Sequence, residues 1–141
     1  MLFRSNPRAV PIAVLQGWVA EGILEWWGFR ADMAAVFEKA SICCLPSSYG
    51  EGVPKVLLEA AASGRAIVAS DNAGCREIVV HGVNGYLVPA KNPDALATRL
   101  QELVEMPARC QSFGIAGRAL VEREFDESRI AARTVEVYGT L

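Results

Sequence analysis

The stretch Pro46-Ser-Ser-Tyr-Gly-Glu51-Gly-Val-Pro-Lys-Val-Leu-Leu-Glu59 joins an apolar run to a predicted helix, and it decides the fold. The run Ile42–Leu45 before it has the length and composition of a buried strand, which Pro46 ends. We predict Pro54 as the first helical residue, because the N–H group that proline lacks would have no partner there. A buried strand, a glycine-bearing loop and a helix in this order are typical of a parallel sheet covered by helices.

The loop and the helix start also have the composition of an anion site. We predict that the N–H groups of Lys55, Val56 and Leu57 point out of the helix start, where the positive end of the helix dipole lies. A strand, a glycine-bearing loop and a helix N-terminus together are typical of phosphate sites. Lys55 also favours an anion site, because a cation in a first helical turn is unfavourable unless an anion is near.

Two carboxylates refine this prediction. Glu51 lies between Gly50 and Gly52, which let the backbone approach a ligand, and Glu59 lies in the second helical turn, leaning toward the helix start. Carboxylates repel a bare phosphate, so they favour neutral partners such as the sugar hydroxyls on either side of a diphosphate. The alternative is structural: Glu59 forms a surface ion pair with Lys55, and Glu51 is an exposed loop acid. Their spacing leaves both interpretations open.

Glu51 and Glu59, with seven residues between them, resemble the E-x7-E motif of retaining glycosyltransferases of family 4. The resemblance covers the chain from about residue 24 to its end, because further segments fall in the family's order: Ala61–Gly64, Ile67–Asp71, Gly74–Val79 and Gly82–Val88. It implies the two-domain GT-B fold. Residues 1–141 would be a partial C-terminal domain, with a Rossmann-like, doubly wound parallel sheet in a three-layer α/β arrangement.

The resemblance also implies roles for individual residues. Glu51, the catalytic candidate, would contact the donor sugar, and Glu59 the ribose of the nucleotide. The remaining donor-binding residues would lie in the loop and helix start and in a second loop beside the nucleobase: Gly50, Gly52, Val53, Pro54, Lys55, Val56 and Leu57, then Gly28, Phe29 and Arg30. Glu77 resembles the glutamate of the family's G-x-x-E segment, with a local contact to Arg76 or a helix end as the alternative. The extra Gly50 before Glu51 departs from the family's pattern.

The activity implied is hexosyl transfer from a nucleotide-diphosphate sugar to a glycan or lipid-linked acceptor. It would need no metal and no cofactor besides the donor itself. The family's acceptor-binding N-terminal domain, and the first strand of the donor domain with its basic pair, have no counterpart in this sequence. We therefore expect this fragment alone to be inactive, and any peripheral membrane association to depend on the other half. The alternatives are a non-catalytic nucleotide-sugar-binding or interaction module and a domain like that of sugar-nucleotide epimerases.

Composition and missing motifs argue against several other classes of protein. The 141 residues are 52% hydrophobic and 21% charged, as in one globular domain, and a net charge of −2 without a basic run gives no case for nucleic acid. No apolar stretch approaches the roughly 20 residues of a membrane span, and no signal peptide is recognisable. Four cysteines without metal spacing suggest free thiols and a cytoplasmic location, with Cys43 and Cys44 in the core. Dinucleotide, P-loop, Asp-x-Asp and nucleophile-elbow motifs are absent from the sequence.

The rest of the chain alternates predicted helices and strands. Strands are expected at Ile23–Trp27, Ala66–Ser70 and Gly85–Val88. Helices are expected at Pro11–Ala20, at Met33–Ala40 after the cap Asp32, near Cys75–Val79, from Asn92 to Met106, at Ala108–Glu124 and from Asp126 to Tyr138. The first helix would bury Ile12, Leu15, Trp18 and Val19. Loops that follow parallel strands meet at one sheet edge, so we expect the loops of Gly28, Glu51 and Asp71 to converge on one cleft.

Three smaller predictions concern aromatic and turn residues. Trp26 and Trp27 are expected to pack in the core rather than stack on a base. His81 is expected to be an exposed turn residue, and not a catalytic base. The segment His81-Gly-Val-Asn84-Gly85 is expected to be a tight turn, because Asn-Gly tolerates positive φ.

Overall fold

A computed structural model describes residues 10–48 and 52–126. The chain divides into two compact units, Met1–Ala31 and Asp32–Leu141. The first contains helix α1 (Ile12–Ala20). The second contains the other elements: α2 (Met33–Lys39), β1 (Ile42–Leu45), α3 (Lys55–Ala62), β2 (Ala66–Ser70), α4 (Ala73–Arg76), β3 (Gly85–Val88), α5 (Pro93–Glu105) and α6 (Pro107–Glu124). The helix predicted from Asp126 to Tyr138 lies outside the described residues, apart from Asp126 itself.

In the first unit, α1 forms where predicted but buries none of its residues. Ile12, Trp18 and Val19 are all exposed, so the predicted buried face is wrong. The helix carries no charged residue, and Gln16 is its one polar side chain, so the sequence does not single out one buried face. Gly22 ends the segment with φ of 72°, as expected for a glycine after a helix.

The strand predicted at Ile23–Trp27 does not form, and these residues are irregular. A strand is stable only beside a hydrogen-bonded neighbour, whatever its own composition. The prediction that Trp26 and Trp27 pack in the core is also wrong, because they are 47% and 46% exposed. Instead, the indole Nε1 of Trp27 donates a hydrogen bond to Glu25 Oε2 at 2.9 Å.

The second unit is built on a parallel sheet with the strand order β1-β2-β3. In its register Ile42 pairs with Ala66, and Ile67 pairs with Gly85. All five residues of the central strand β2 are buried, because helices cover both faces of the sheet. The predicted α/β class, with a doubly wound, Rossmann-like parallel sheet in three layers, is confirmed.

Alternate residues of β2 face two separate cores. Ile67 and Ala69 pack with Leu57 and other residues of α3 on one face. Val68 points to the other face, where it packs with Phe113 and with residues of β3 and α5. Helix α6 contributes to both cores, since Phe113 belongs to one and the side chains near its end pack against the other.

Short side-chain caps set the helix boundaries. Asp32 Oδ1 accepts a hydrogen bond from the N–H of Ala35 at 3.1 Å, as predicted for α2. Asn72 accepts from Cys75 N–H at 3.0 Å, which starts α4 at Ala73, earlier than the predicted Cys75. The predicted break between the last two described helices is confirmed, since α5 ends and α6 begins around Met106.

The turn before β3 lies where predicted, between His81 and Gly85, but its positive φ falls on a different residue. Positive φ occurs at Gly82, with 77°, and at neither Asn84 nor Gly85. Asn84 is buried, and its side chain accepts from the N–H of Val80 and donates to the carbonyl of Ile78, both at 2.7 Å. Gly85 is required for a different reason: a Cβ there would collide with the backbone of β2.

The single histidine, His81, is exposed as predicted. Its Nδ1 accepts a hydrogen bond from the backbone N–H of Leu87 at 3.1 Å, and its ring lies 5.5 Å from that of Tyr86. His81 therefore holds the turn against β3.

The two neighbouring cysteines of β1 point to opposite sides. Cys43 is buried and Cys44 is exposed, so the prediction that both lie in the core holds only for Cys43. Burial, with a smaller contribution from the Cys44 charge, raises the pKa of Cys43 to about 12. Desolvation by the neighbouring protein atoms also raises the pKa of Cys44, although the residue as a whole is exposed. The four cysteines of the chain, which include Cys75 and Cys110, are free thiols.

A polar network joins β3, α5 and α6. The hydroxyl of the buried Tyr86 donates to Glu102 Oε1 at 2.5 Å and accepts from Arg109 at 2.9 Å. Glu102 also pairs with Arg109 and, at 2.7 Å, with Arg99, whose guanidinium lies 4.6 Å from the centre of the Tyr86 ring. The hydrogen bond from Tyr86 and the one from Arg99 lower the pKa of the Glu102 carboxyl.

The network makes stability depend on pH. Because the folded-state pKa of Glu102 is lowered, its contribution is fully present above the unfolded value of about 4.3 and is lost as pH falls below it. We expect Glu102→Gln to be less stable than wild type at pH 7 and to lose less stability between pH 7 and pH 3. Urea unfolding across that range measures both. Glu105→Gln, which alters an exposed glutamate of the same helix, is the control; equal acid slopes for wild type and Glu102→Gln would contradict the assignment.

Candidate functional site

The start of α3 carries backbone donors that no described residue uses. The N-cap is the buried Pro54, with φ of −70° and ψ of 118°, so proline precedes the helix rather than being its first residue. The N–H of Leu57 donates to the Pro54 carbonyl at 3.0 Å, which corrects the prediction that it would be free. The N–H groups of Lys55 and Val56 have no acceptor among the described residues. Two donors, not three, therefore face outward at the positive end of the helix.

Lys55 and Glu59 lie on one side of this helix and contact each other. Lys55 Nζ is 3.3 Å from Glu59 Oε1, with the lysine side chain 87% exposed and the glutamate 31% exposed. An exposed pair of this kind stabilises a helix by only about 0.3–0.5 kcal/mol. The ion pair predicted as the structural alternative is therefore present. It leaves Glu59 half-buried near the helix start, with one carboxylate oxygen that the pair does not use.

The opposite side of α3 anchors it in the core. Leu57, Ala60 and Ala61 are fully buried and pack toward the sheet. This packing fixes the helix axis, so the outward donors and the Lys55–Glu59 pair keep a constant orientation relative to the strands. Gly52 and Val53, which precede the helix, are exposed.

A second charged pair follows the neighbouring strand β2. Asp71 Oδ1 accepts a hydrogen bond from Arg76 Nε at 2.6 Å, and the Asp71 N–H donates to the carbonyl of Val88 at 2.7 Å. The hydrogen bond from Arg76 lowers the pKa of Asp71, and the same contact raises the pKa of Arg76. Sequence reasoning placed the Asp71 loop at this edge but missed Arg76 as its partner. The sequence signal that could have revealed this pair is the acidic Asp71 before the Asn72 cap and the basic Arg76 after it.

These two features share one edge of the sheet. Because β1 and β2 are parallel and Leu45 pairs with Ala69, their carboxyl ends lie side by side. The α3 start follows the first strand, and Asp71 follows the second. The carboxyl edge of an open parallel sheet is the usual place for ligands.

Several predicted site residues lie outside the described part of the second unit. Gly50 and Glu51 lie outside the described residues. Gly28, Phe29 and Arg30 belong to the first unit, where Gly28 has φ of 65° and Phe29 is almost fully exposed. Their convergence with the α3 start stays a prediction.

The described part of the chain contains neither a metal-binding cluster nor a membrane-spanning helix. Within residues 10–48 and 52–126, no three His, Cys, Asp or Glu side chains are grouped so that they could hold a metal ion. None of the described helices is long and apolar enough to cross a membrane.

Comparison with known proteins identifies the family. The model of the family described as "Glycosyl transferases group 1" matches residues 6–106, well over half of the chain. The chain belongs to this family. It is 32% identical to a glycosyltransferase named EpsD from Bacillus subtilis, over 81% of this chain and 29% of that protein. It is 36% identical to a phosphatidyl-myo-inositol mannosyltransferase of Mycobacterium tuberculosis, over 79% of this chain and 30% of the relative.

Solved structures of other proteins share the fold of this chain. HepE from Anabaena, solved with UDP, superimposes with a TM-score of 0.86 and 25% identity, over 92% of this chain and 36% of that one. Sucrose-phosphate synthase from Thermosynechococcus elongatus gives a TM-score of 0.83 and 27% identity, over 92% and 33%. The chain thus has a partial GT-B glycosyltransferase fold and spans about a third of the length of these relatives.

Proposed function

We propose that this chain is the donor-binding part of a retaining, metal-independent glycosyltransferase that uses a nucleotide-diphosphate sugar. Residues 1–141 would act as a partial C-terminal domain beside an acceptor-binding domain. The observation that carries the proposal is the α3 start, where two outward N–H groups lie near the half-buried Glu59. The proposal is supported by HepE, a relative solved both with UDP and with UDP-glucose.

The donor would lie along the carboxyl edge with its diphosphate at the α3 start. The N–H groups of Lys55 and Val56 would donate to the phosphate oxygens, and the Lys55 ammonium would turn from Glu59 to the phosphate. Glu59 would then accept hydrogen bonds from the ribose, and Glu51 from the transferred sugar. The backbone of the surrounding residues would shape the approach of the diphosphate, and the second loop would lie beside the base: Gly50, Gly52, Val53, Pro54 and Leu57, then Gly28, Phe29 and Arg30.

The chemical contribution of this site would be electrostatic. As the bond between the sugar and the diphosphate breaks, negative charge grows on the departing phosphate oxygens. A fixed helix N-terminus and a cation stabilise that charge without reorganising during the reaction. Two carboxylates that bind hydroxyls hold the sugar and ribose in place while the bond breaks. The transferred hexose would pass to a glycan or lipid-linked acceptor bound by the other domain.

The proposal is tested by titrating the chain with UDP, GDP and ADP, and with the corresponding monophosphates, in the presence of EDTA. We expect one diphosphate to bind roughly ten- to hundredfold more tightly than its monophosphate, because charge-assisted hydrogen bonds are worth about 1.5–3 kcal/mol. EDTA should not change this preference. Binding that required added magnesium or manganese, or that ignored the second phosphate, would contradict the proposal.

Two substitutions at one position separate the ammonium from the backbone donor. Lys55→Ala removes the cation and keeps the N–H, whereas Lys55→Pro removes both. Pro54 already has the extended conformation that suits a residue before proline, and a first helical position accepts proline. We expect the diphosphate to bind more weakly to Lys55→Ala than to wild type, and more weakly still to Lys55→Pro. Thermal unfolding should show both variants to be folded; equal affinities for the two would contradict a role for the backbone donor.

A further inference from the structure

The turn before β3 contains the dipeptide Asn84-Gly85, the one place in the sequence where asparagine is followed by glycine. Asparagine is a chemically labile residue, because a backbone nitrogen can attack its side-chain amide. Glycine as the next residue makes this attack easiest, since it has no side chain to hinder its own nitrogen. Gly85 begins β3, so the dipeptide lies at the amino edge of the parallel sheet, opposite the edge that carries the α3 start.

Position 84 requires an amide side chain. Asn84 is 1% exposed, and its Oδ1 accepts from the N–H of Val80 while its Nδ2 donates to the carbonyl of Ile78, both at 2.7 Å. Helix α6 passes beside it at Gly117, where an added Cβ would lie 3.7 Å from the Asn84 Cβ. An ionised carboxylate could accept from Val80 but would have no proton to donate to Ile78.

Position 85 requires glycine. A Cβ there would lie 3.1 Å from the carbonyl carbon of Ile67 and closer still to its oxygen, and 3.1 Å from Cγ1 of Val79. Ile67 is the partner of Gly85 in the register of β2 and β3, so the obstacle is the backbone of the sheet itself. The fold therefore depends on a labile dipeptide, and neither of its residues can be exchanged for a more inert one without losing a contact.

We propose that Asn84-Gly85 is a site of spontaneous deamidation that the fold keeps closed and that unfolding opens. The backbone nitrogen of Gly85 gives its proton to hydroxide and attacks Cγ of Asn84. The side-chain nitrogen leaves as ammonia, taking a proton from water, and a five-membered succinimide ring remains. Water then opens the ring at either carbonyl, which leaves aspartate or isoaspartate. Hydroxide and water are the co-reactants, and nothing is oxidised or reduced.

The folded chain blocks the reaction in two ways. The two hydrogen bonds hold the Asn84 amide toward the Ile78–Val80 segment, so its Cγ is not free to turn to the Gly85 nitrogen. Burial also excludes the hydroxide that takes the first proton and the water that opens the ring. The reaction therefore requires opening of this part of the core, and its rate follows the open fraction.

Either product prevents return to the same fold. Aspartate at position 84 places a charged oxygen against the carbonyl of Ile78, in a site closed to water. Isoaspartate carries the main chain through the former side chain, which lengthens the backbone before Gly85 and displaces β3 from its register with β2. Unfolding therefore becomes irreversible at the rate at which Asn84 reacts.

The full chain is tested at pH 8 across a series of guanidinium chloride concentrations. Peptide mapping by mass spectrometry measures conversion of Asn84, and circular dichroism of the same samples measures the unfolded fraction. We expect the rate to follow that fraction, and to be roughly a hundredfold lower in buffer than in full denaturant. Asn72, followed by Ala73, and Asn92, followed by Pro93 whose nitrogen carries no proton, are internal controls that should react slowly throughout. A rate at Asn84 that ignored unfolding, or no conversion in denaturant, would overturn the assignment.

Refolding gives a second readout. After increasing times in denaturant, dilution should recover a refolded fraction that falls in step with conversion of Asn84. Asn84→Ser keeps a hydroxyl that donates and accepts but has no amide to lose, so its refolded fraction should not depend on the time in denaturant. Asn84→Asp makes one product directly and should unfold at a lower denaturant concentration than wild type. Deamidated wild-type chains that refolded with an unchanged midpoint would refute the irreversible step, and this readout does not require either variant to fold.

Discussion

Glu59→Gln should weaken the binding of free nucleoside diphosphate and of nucleotide sugar alike, by roughly ten- to hundredfold. The reason is that the proposed partner of Glu59 is the ribose, which both ligands contain. A hydrogen bond to a charged group is worth about 1.5–3 kcal/mol, and glutamine keeps the shape of the side chain while removing its charge. Calorimetric titration of the variant with both ligands measures the two losses.

Glu51→Gln provides the matched comparison, because its proposed partner is the transferred sugar. It should leave the affinity for the free diphosphate unchanged and weaken only the sugar-bearing donor. The four affinities from the two variants therefore separate the two roles. If Glu59 served only as the ion-pair partner of Lys55, its loss would reduce stability by about 0.3–0.5 kcal/mol and would not change binding. Equal effects of both variants on both ligands would likewise refute the division of roles.

Gly114→Ala should be the most destabilising small substitution in α6. A Cβ at this position would lie 2.8 Å from the carbonyl carbon of Gly64 and closer still to its oxygen, at the point where α6 passes the end of α3. The obstacle is backbone, which cannot rotate away as a side chain can. Forced overpacking of this kind costs about 1–3 kcal/mol, and more where the backbone must move. Urea unfolding should show a lower midpoint with an unchanged slope.

Gly117→Ala is the control on the same helix, one turn further along. Its Cβ would lie 3.7 Å from the Cβ of Ala61, an ordinary van der Waals distance. Alanine is a better helix former than glycine by about 0.5–1 kcal/mol, so this variant should be as stable as wild type or slightly more stable. If Gly114→Ala were as stable to urea as Gly117→Ala, α6 could not pass the end of α3 as closely as the structure shows.

Local signals in the sequence determined most of the second unit. The apolar runs that became β1, β2 and β3 are short, bounded by proline, glycine or polar residues, and separated by helical segments, which leaves few arrangements other than a parallel sheet. Asp32 marks a helix start by a contact within four residues, which needs no tertiary structure. The spacing of Lys55 and Glu59 puts both side chains on one face of α3, because residues four apart in a helix are neighbours.

Tertiary structure decided the features that depend on a distant neighbour. The run Ile23–Trp27 has the composition of a strand but forms none, because ladder hydrogen bonds require a second strand. Gly85 resembles a turn glycine in the sequence, yet it is required by the approach of β2, nearly twenty residues earlier in the chain. The hydrogen-bond networks around Glu102 and Asp71 could not be predicted, since they depend on the packed positions of α5, α6 and α4. Local residue patterns thus determine which elements form, whereas packing between elements decides which atoms meet.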